Sequence, residues 1–125
     1  MKGRRREMIR SEVHDALKKA FGLPHIHSEY GMTELLSQAY AQRDGLFETP
    51  PWVKVFIREE DDPAALHDGR DKAVSGAVNV IDLANIYSCS FIATDDLGRL
   101  HPNGRFEVLG RLDNSEIRGC NLLVL

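Results

Sequence analysis

Cysteine is scarce in this chain, with only Cys89 and Cys120 in 125 residues. Two thiols cannot build the disulfide framework of a small secreted domain, so free thiols are expected. Long apolar runs are missing as well: none approaches the roughly 18 residues of a membrane span. The basic stretch Lys2 to Arg6 runs into Glu7 and Glu12 rather than into an apolar signal core. A soluble cytoplasmic protein without a membrane span is the expectation. Charge of one sign is also weak, since a net −3 gives no general electrostatic reason to expect nucleic acid or an anionic membrane as partner. The one basic cluster, Lys2 to Arg6 with Arg10 nearby, reads as the solvated first turn of a helix, or as a contact for an anionic ligand or a further segment. Internal repeats and low-complexity tracts are absent. A chain of this length suits a single small domain that buries roughly two-thirds of its unfolded surface.

What is present falls into two textures. From Arg6 to Phe21, Ile9, Val13, Ala16, Leu17 and Ala20 keep helical spacing, and Gly22 and Pro24 supply stop signals. Pro24 to Ser28 reads as a short buried strand. Thr33 then caps a second helix reaching about Ala41, with Leu36, Ala39 and Tyr40 on its inner face. After Gly45 the β-prone runs are Val53 to Arg58, Gly76 to Leu83, Ile86 to Thr94 and Phe106 to Leu109. Turns at Pro50-Pro51, Asp61-Asp62-Pro63, His67-Asp68-Gly69 and Pro102-Asn103-Gly104 separate them. The expected fold class is α+β. An amphipathic helix, a strand and a second helix from the edge of an α/β layer (1–45) precede a small, mainly antiparallel sheet or distorted barrel (46–125), the two forming one structural unit.

Three clusters carry chemistry. In Tyr30-Gly31-Met32-Thr33-Glu34 the aromatic ring suits a planar base, and Gly31 permits close backbone approach. Thr33 can donate to a phosphate beside helix amides, and Glu34 can hold Mg²⁺ together with that phosphate. In "IATDDLGRL", Asp95 or Asp96 can accept from two vicinal ribose hydroxyls. In "GRLDNSEIRG", Arg111 offers a planar charged fork for ribose or phosphate oxygens, and Asp113 can fix a turn. Taken one at a time these are a packed corner, an acidic hairpin turn and a charged hairpin end. A separate reading takes His25 and His27, on one face of a strand, with Glu29 or Asp95, as a metal site.

In this order the clusters resemble the adenylate-forming superfamily, enzymes that activate a carboxylic acid with ATP. Tyr30, Gly31, Thr33 and Glu34 match its Tyr-Gly-x-Thr-Glu corner. Thr94, Asp96 and Leu97 match its Thr-Gly-Asp-Leu motif, with Asp95 in the glycine position. Gly110, Arg111 and Asp113 match its Gly-Arg-x-Asp hinge. Within the superfamily, "HSEYGMTELLSQAY", "NVIDLANIYSCSFIATDDLG" and "EVLGRLDNSEIRGCNLLV" look like the C-terminal portion of LuxE-like acyl-protein synthetases, and the likeness covers nearly the whole chain.

The resemblance implies a cofactor set of ATP or AMP with Mg²⁺, the metal at Glu34. It implies a fatty or other carboxylic acid as substrate and an acyl-accepting reductase or thiol carrier as partner. A fatty carboxylate attacks the α-phosphorus, pyrophosphate leaves, and a thiolate then takes the acyl group. Thr33, Glu34 and Cys120 are the expected catalytic residues; Tyr30, Gly31, Thr33, Asp96, Arg111 and Asp113 are expected to hold the nucleotide. Cys89, inside an apolar strand, is expected to be packed. The Gly/Ser/Thr-rich phosphate loop of such enzymes has no counterpart in the sequence, so this chain alone is expected to be an inactive fragment of a larger enzyme. The alternative is a non-catalytic fragment or interaction module that forms a homo-oligomer through its uncovered surface.

Overall fold

The computed structural model describes residues 8–112. One helix, α1 (Arg10–Phe21), is followed by seven strands: β1 (Ser28–Tyr30), β2 (Ala39–Ala41), β3 (Val53–Arg58), β4 (Leu66–His67), β5 (Val74–Asp82), β6 (Phe91–Leu100) and β7 (Phe106–Arg111). A single 3-10 turn, Leu83–Asn85, links β5 to the loop before β6. Strands β1 and β2 make a two-stranded antiparallel sheet, and the other five make an antiparallel sheet in the order β4-β3-β5-β6-β7. The described residues are therefore mostly β with one short helix, which corrects the expected α+β layer with two helices. No helix among the described residues is long and apolar enough to cross a membrane.

The helix α1 begins where the Glu12 carboxylate accepts from the Ile9 N–H at 3.1 Å. It ends at Gly22, whose left-handed φ of 65° lets its N–H return to the Lys18 carbonyl. None of its residues is buried.

The second helix expected from Thr33 to Ala41 does not form. The amides of Leu36 and Ser37, which would have entered a helical ladder, donate instead to Asp82 at 3.0 and 2.8 Å. Beyond them Ala39, Tyr40 and Ala41 alternate buried, exposed and buried and pair with Tyr30, Glu29 and Ser28. The apolar spacing is thus of period two rather than 3.6: Leu36 and Tyr40, expected on an inner face, are 69% and 55% exposed. The strand expected over Pro24 to Ser28 begins only at Ser28.

In the larger sheet, β3 occupies Val53–Arg58, where the alternation puts it. The run from Ile86 does not start a strand. The Asp82 side chain accepts from the Ala84 N–H at 3.0 Å and the Asn85 amide holds the Cys89 carbonyl at 3.0 Å, which closes a loop and delays β6 to Phe91. Both sheets share one core. Val55, Ile57, Val78, Val80, Leu100 and Val108 pack with Tyr30, Phe47 and Phe106, and a bridge between Phe47 and Phe106 ties the N-terminal part to the edge strand β7. At the β6 bulge after Leu97, Gly98 is required by crowding, because a Cβ there would lie 2.5 Å from Val78 Cγ2 and 3.0 Å from the Glu107 carbonyl.

Candidate nucleotide site

Strand pairing brings Asp96 of β6 opposite Arg111 of β7, and the core brings the end of β1 against both. The Tyr30 hydroxyl donates to Asp96 Oδ2 at 2.7 Å. Arg111 Nη1 stands 3.5 Å from Asp96 Oδ1, and its Nη2 stands 3.9 Å from the exposed Asp95 carboxylate. Thr94 fixes the strand beneath: its hydroxyl donates to the Val78 carbonyl at 2.8 Å and accepts from the Asp96 N–H at 3.1 Å. Asp96 is only 2% exposed, so its carboxylate is held by charge and hydrogen bonds in place of water.

Tyr30, 4% exposed, sets its ring edge-on to Phe106 at 5.5 Å, with Phe47 at 6.0 Å. The ring expected to cover a base is thus packed in the core, and only part of it borders a cleft. Burial raises the Tyr30 pKa well above the phenol range, and the Asp96 charge and hydrogen bond add to the rise. The phenol is therefore a fixed donor. Arg111 Nε is buried with no acceptor among the described residues, a spare donor beside the two aspartates.

The corner itself is a turn. Thr33 and Glu34 are exposed, and the Leu35 N–H closes on the Met32 carbonyl at 3.1 Å. Thr33 caps no helix, so the expected helix amides for a phosphate are not there. Two residues that the sequence reading passed over hold this turn. Asp82, fully buried, accepts from the amides of Leu36 and Ser37 and from the Ser37 hydroxyl. Asn85 donates to the Glu34 carbonyl at 2.8 Å. Burial by itself would raise the Asp82 pKa, but the hydrogen bonds from Ser37, Ala84 and Leu36 prevail and hold it below the usual carboxylate value. The signal for them lay in "DLAN", where an Asp two residues before an amide and an Asn three positions on mark an Asx-type turn.

Tyr30, Gly31 and Thr33 line a cleft of about 640 Å³ with residues of α1 and the β1–β2 hairpin; Asp96 and Arg111, which meet at the Tyr30 hydroxyl, are not in its lining, so the expected ribose residues do not share that cleft with the corner. Glu34 is outside the cleft lining and offers one exposed carboxylate. Among the described residues no three His, Cys, Asp or Glu side chains gather to hold a metal, which leaves His25 and His27 without a ligand set. An ion at Glu34 would need most of its ligands from phosphate or water, and no step below runs through it. Cys89, expected to be packed, is exposed on the loop before β6, its Sγ 3.2 Å from the Phe91 carbonyl. Asp113 and Cys120 lie outside the described residues. Compared with protein-family models and with curated proteins, the chain matches none.

Proposed function

We propose that the chain is the nucleotide-facing part of an enzyme that activates a fatty or other carboxylic acid as an acyl-adenylate and passes the acyl group to a thiol. The observation that carries the proposal is the meeting of Tyr30, Asp96 and Arg111, three residues from separate stretches, at 2.7 and 3.5 Å. Each comes from a different one of the three motifs read in the sequence. In this reading Arg111, with a buried Nε that has no acceptor among the described residues, and Asp96 would serve the ribose, Gly31 and Thr33 would border the phosphates, and Glu34 would be the one carboxylate at the corner to share a phosphate-bound Mg²⁺, whose chemistry would be to neutralise phosphate charge. The protein's part in adenylation is to orient the carboxylate and neutralise charge developing at the α-phosphorus, since phosphoryl-group chemistry asks for position more than for covalent help. The carboxylate oxygen bonds to the α-phosphorus as pyrophosphate leaves. A thiolate then bonds to the acyl carbon as AMP leaves, with Cys120 or an external carrier as acceptor.

Calorimetric titration of the purified chain with AMP, and separately with inorganic phosphate, tests the reading. AMP is expected to bind at least about tenfold more tightly than phosphate, with Arg111→Ala erasing the difference while the fold is kept, as for a charge-assisted contact. Equal affinity for AMP and phosphate overturns the proposal. Pyrophosphate exchange with ATP, Mg²⁺ and a fatty acid is expected to stay at background for this chain alone, because no Gly/Ser/Thr-rich loop is there to cradle the triphosphate.

A further inference from the structure

His14 on α1 and Ser28 at the start of β1, 14 positions apart, meet at 3.0 Å between the imidazole Nε2 and the hydroxyl oxygen. Both side chains are half-buried, and both line the cleft of about 640 Å³ beside Tyr30, where a small molecule can reach them. In the tautomer that carries its proton on Nδ1, the ring accepts from the serine hydroxyl at Nε2. That is the relation of a nucleophile to its general base.

The surroundings keep the imidazole fit to take a proton. Burial is the largest influence on His14 and lowers its pKa, the charges of Arg10 and Lys18 on the same helix add to the fall, and Asp15 and Asp44 oppose it. His14 is therefore neutral at pH 7. Once the ring holds the serine proton, the charges of Asp15 and Asp44 favour the imidazolium. Arg10 lies one helical turn before His14, on the same face, and borders the same cleft. Its guanidinium brings permanent positive charge to the space in which a carbonyl oxygen would turn anionic. Val13, Leu17, Ile26, Met32 and Phe47 give the cleft apolar walls. The exposed Glu29 and His27, on either side of Ser28, complete the titratable groups of its lining among the described residues.

We propose that His14 and Ser28 form a nucleophilic dyad that hydrolyses uncharged carboxylic esters with a small apolar acyl group. The reaction uses neither nucleotide nor metal and does not rest on the adenylate proposal. The Ser28 oxygen bonds to the ester carbonyl carbon while its proton passes to His14 Nε2. The tetrahedral adduct collapses, the bond to the alcohol oxygen breaks, and that oxygen leaves with the proton from His14. Water then bonds through its oxygen to the acyl carbon and gives a proton to His14; the carboxylic acid leaves, and Ser28 regains its proton from the ring. A bond that only fastened α1 to the hairpin would have no need to open on a cleft.

The test supplies p-nitrophenyl butyrate to the purified chain without nucleotide or metal, and separately a biotin-linked fluorophosphonate, which a nucleophilic serine oxygen captures as fluoride leaves. Above buffer hydrolysis, nitrophenolate is expected to form in multiple turnovers, and peptide mapping is expected to find the probe on Ser28 in the native chain but not in chain denatured beforehand. Ser28→Ala should bring the rate to the level of buffer, and His14→Gln should lower it by about a hundredfold, as loss of a general base does. With buffer hydrolysis subtracted, the rate should rise with pH through a midpoint below the ordinary histidine value of 6.5, because the base must be unprotonated; a merely structural bond gives no such profile. Thermal melts check that each variant folds, and where one does not, the position of the probe on the unaltered chain decides. No probe on Ser28, or a rate that a folded Ser28→Ala leaves unchanged, overturns the proposal.

Discussion

Ser37 gives Asp82 both its backbone N–H, at 2.8 Å, and its hydroxyl, at 2.9 Å. With the Leu36 amide on the same carboxylate and Trp52 donating to the Ser37 oxygen at 2.8 Å, one buried side chain organises the corner that carries Thr33 and Glu34. Removing it leaves several partly buried amides without an acceptor. Asp82→Ala is therefore expected to cost about 3 kcal/mol, in the range of hydrogen bonds to a charged group. The urea midpoint measures this, and an unchanged midpoint contradicts it.

The same carboxylate sets an acid dependence. Its folded pKa lies below the unfolded value of about 3.9, so below that pH the unfolded chain takes up a proton that the folded chain refuses. Its contribution is complete above the unfolded pKa and is lost as pH falls through the folded one. Stability should decline from about pH 5 downwards, and Asp82→Asn should flatten that decline while lowering stability at neutral pH. Denaturation curves for both proteins across the acid range supply the comparison.

These hydrogen bonds also explain which parts of the structure could be read from the sequence. Val53 to Arg58 alternates cleanly, and β3 is there because one face of the strand meets the core. Leu36, Ala39 and Tyr40 fit a helix as well as they fit a strand, and a contact with Asp82, 45 positions from Ser37, decided between them. No local pattern contains that contact. The hydrogen bond between Tyr30 and Asp96, separated by 66 positions, lies equally outside any local pattern, and the packing of the Tyr30 ring into an aromatic cluster depended on Phe47 and Phe106, which carry no motif.

Tyr30 gives a complementary alkaline prediction. Its folded pKa is raised, so the folded chain keeps a proton that the unfolded chain releases above about pH 10. The stabilisation is complete below the unfolded pKa and diminishes as pH climbs above it. While folded, the protein and its Tyr30→Phe variant should show the same phenolate absorbance up to about pH 11, because the missing hydroxyl does not ionise in either. A larger absorbance in the unaltered protein over that range, with far-ultraviolet dichroism unchanged, contradicts the assignment. Tyr30→Phe should also cost about 1–3 kcal/mol, since it leaves a buried carboxylate oxygen short of a donor.

Cys89 was expected to be shielded by a strand and is instead exposed on the loop that Asn85 closes. Among the described residues its Sγ makes one hydrogen bond, to the Phe91 carbonyl, and Tyr87 in the same loop is 99% exposed. Access, rather than global unfolding, should therefore govern its modification. In the native protein a maleimide is expected to label Cys89 at a rate within about threefold of that in denaturant, because the thiolate reacts wherever reagent can reach it. Peptide mapping by mass spectrometry separates this label from any on Cys120. Cys89→Ser is expected to change stability by no more than about 0.5 kcal/mol, as surface substitutions do. Protection of Cys89 by a factor of a hundred or more would mean that the loop is covered in solution. For the acyl transfer proposed above, an accessible Cys89 cannot be set aside as packed, so in a protein that contains this chain and forms the adenylate, labelled fatty acid and ATP should be followed in both Cys89→Ser and Cys120→Ser forms. Loss of hydroxylamine-sensitive label in Cys120→Ser alone, with adenylate still formed, assigns the acceptor to Cys120; loss in Cys89→Ser alone transfers that role to the exposed loop.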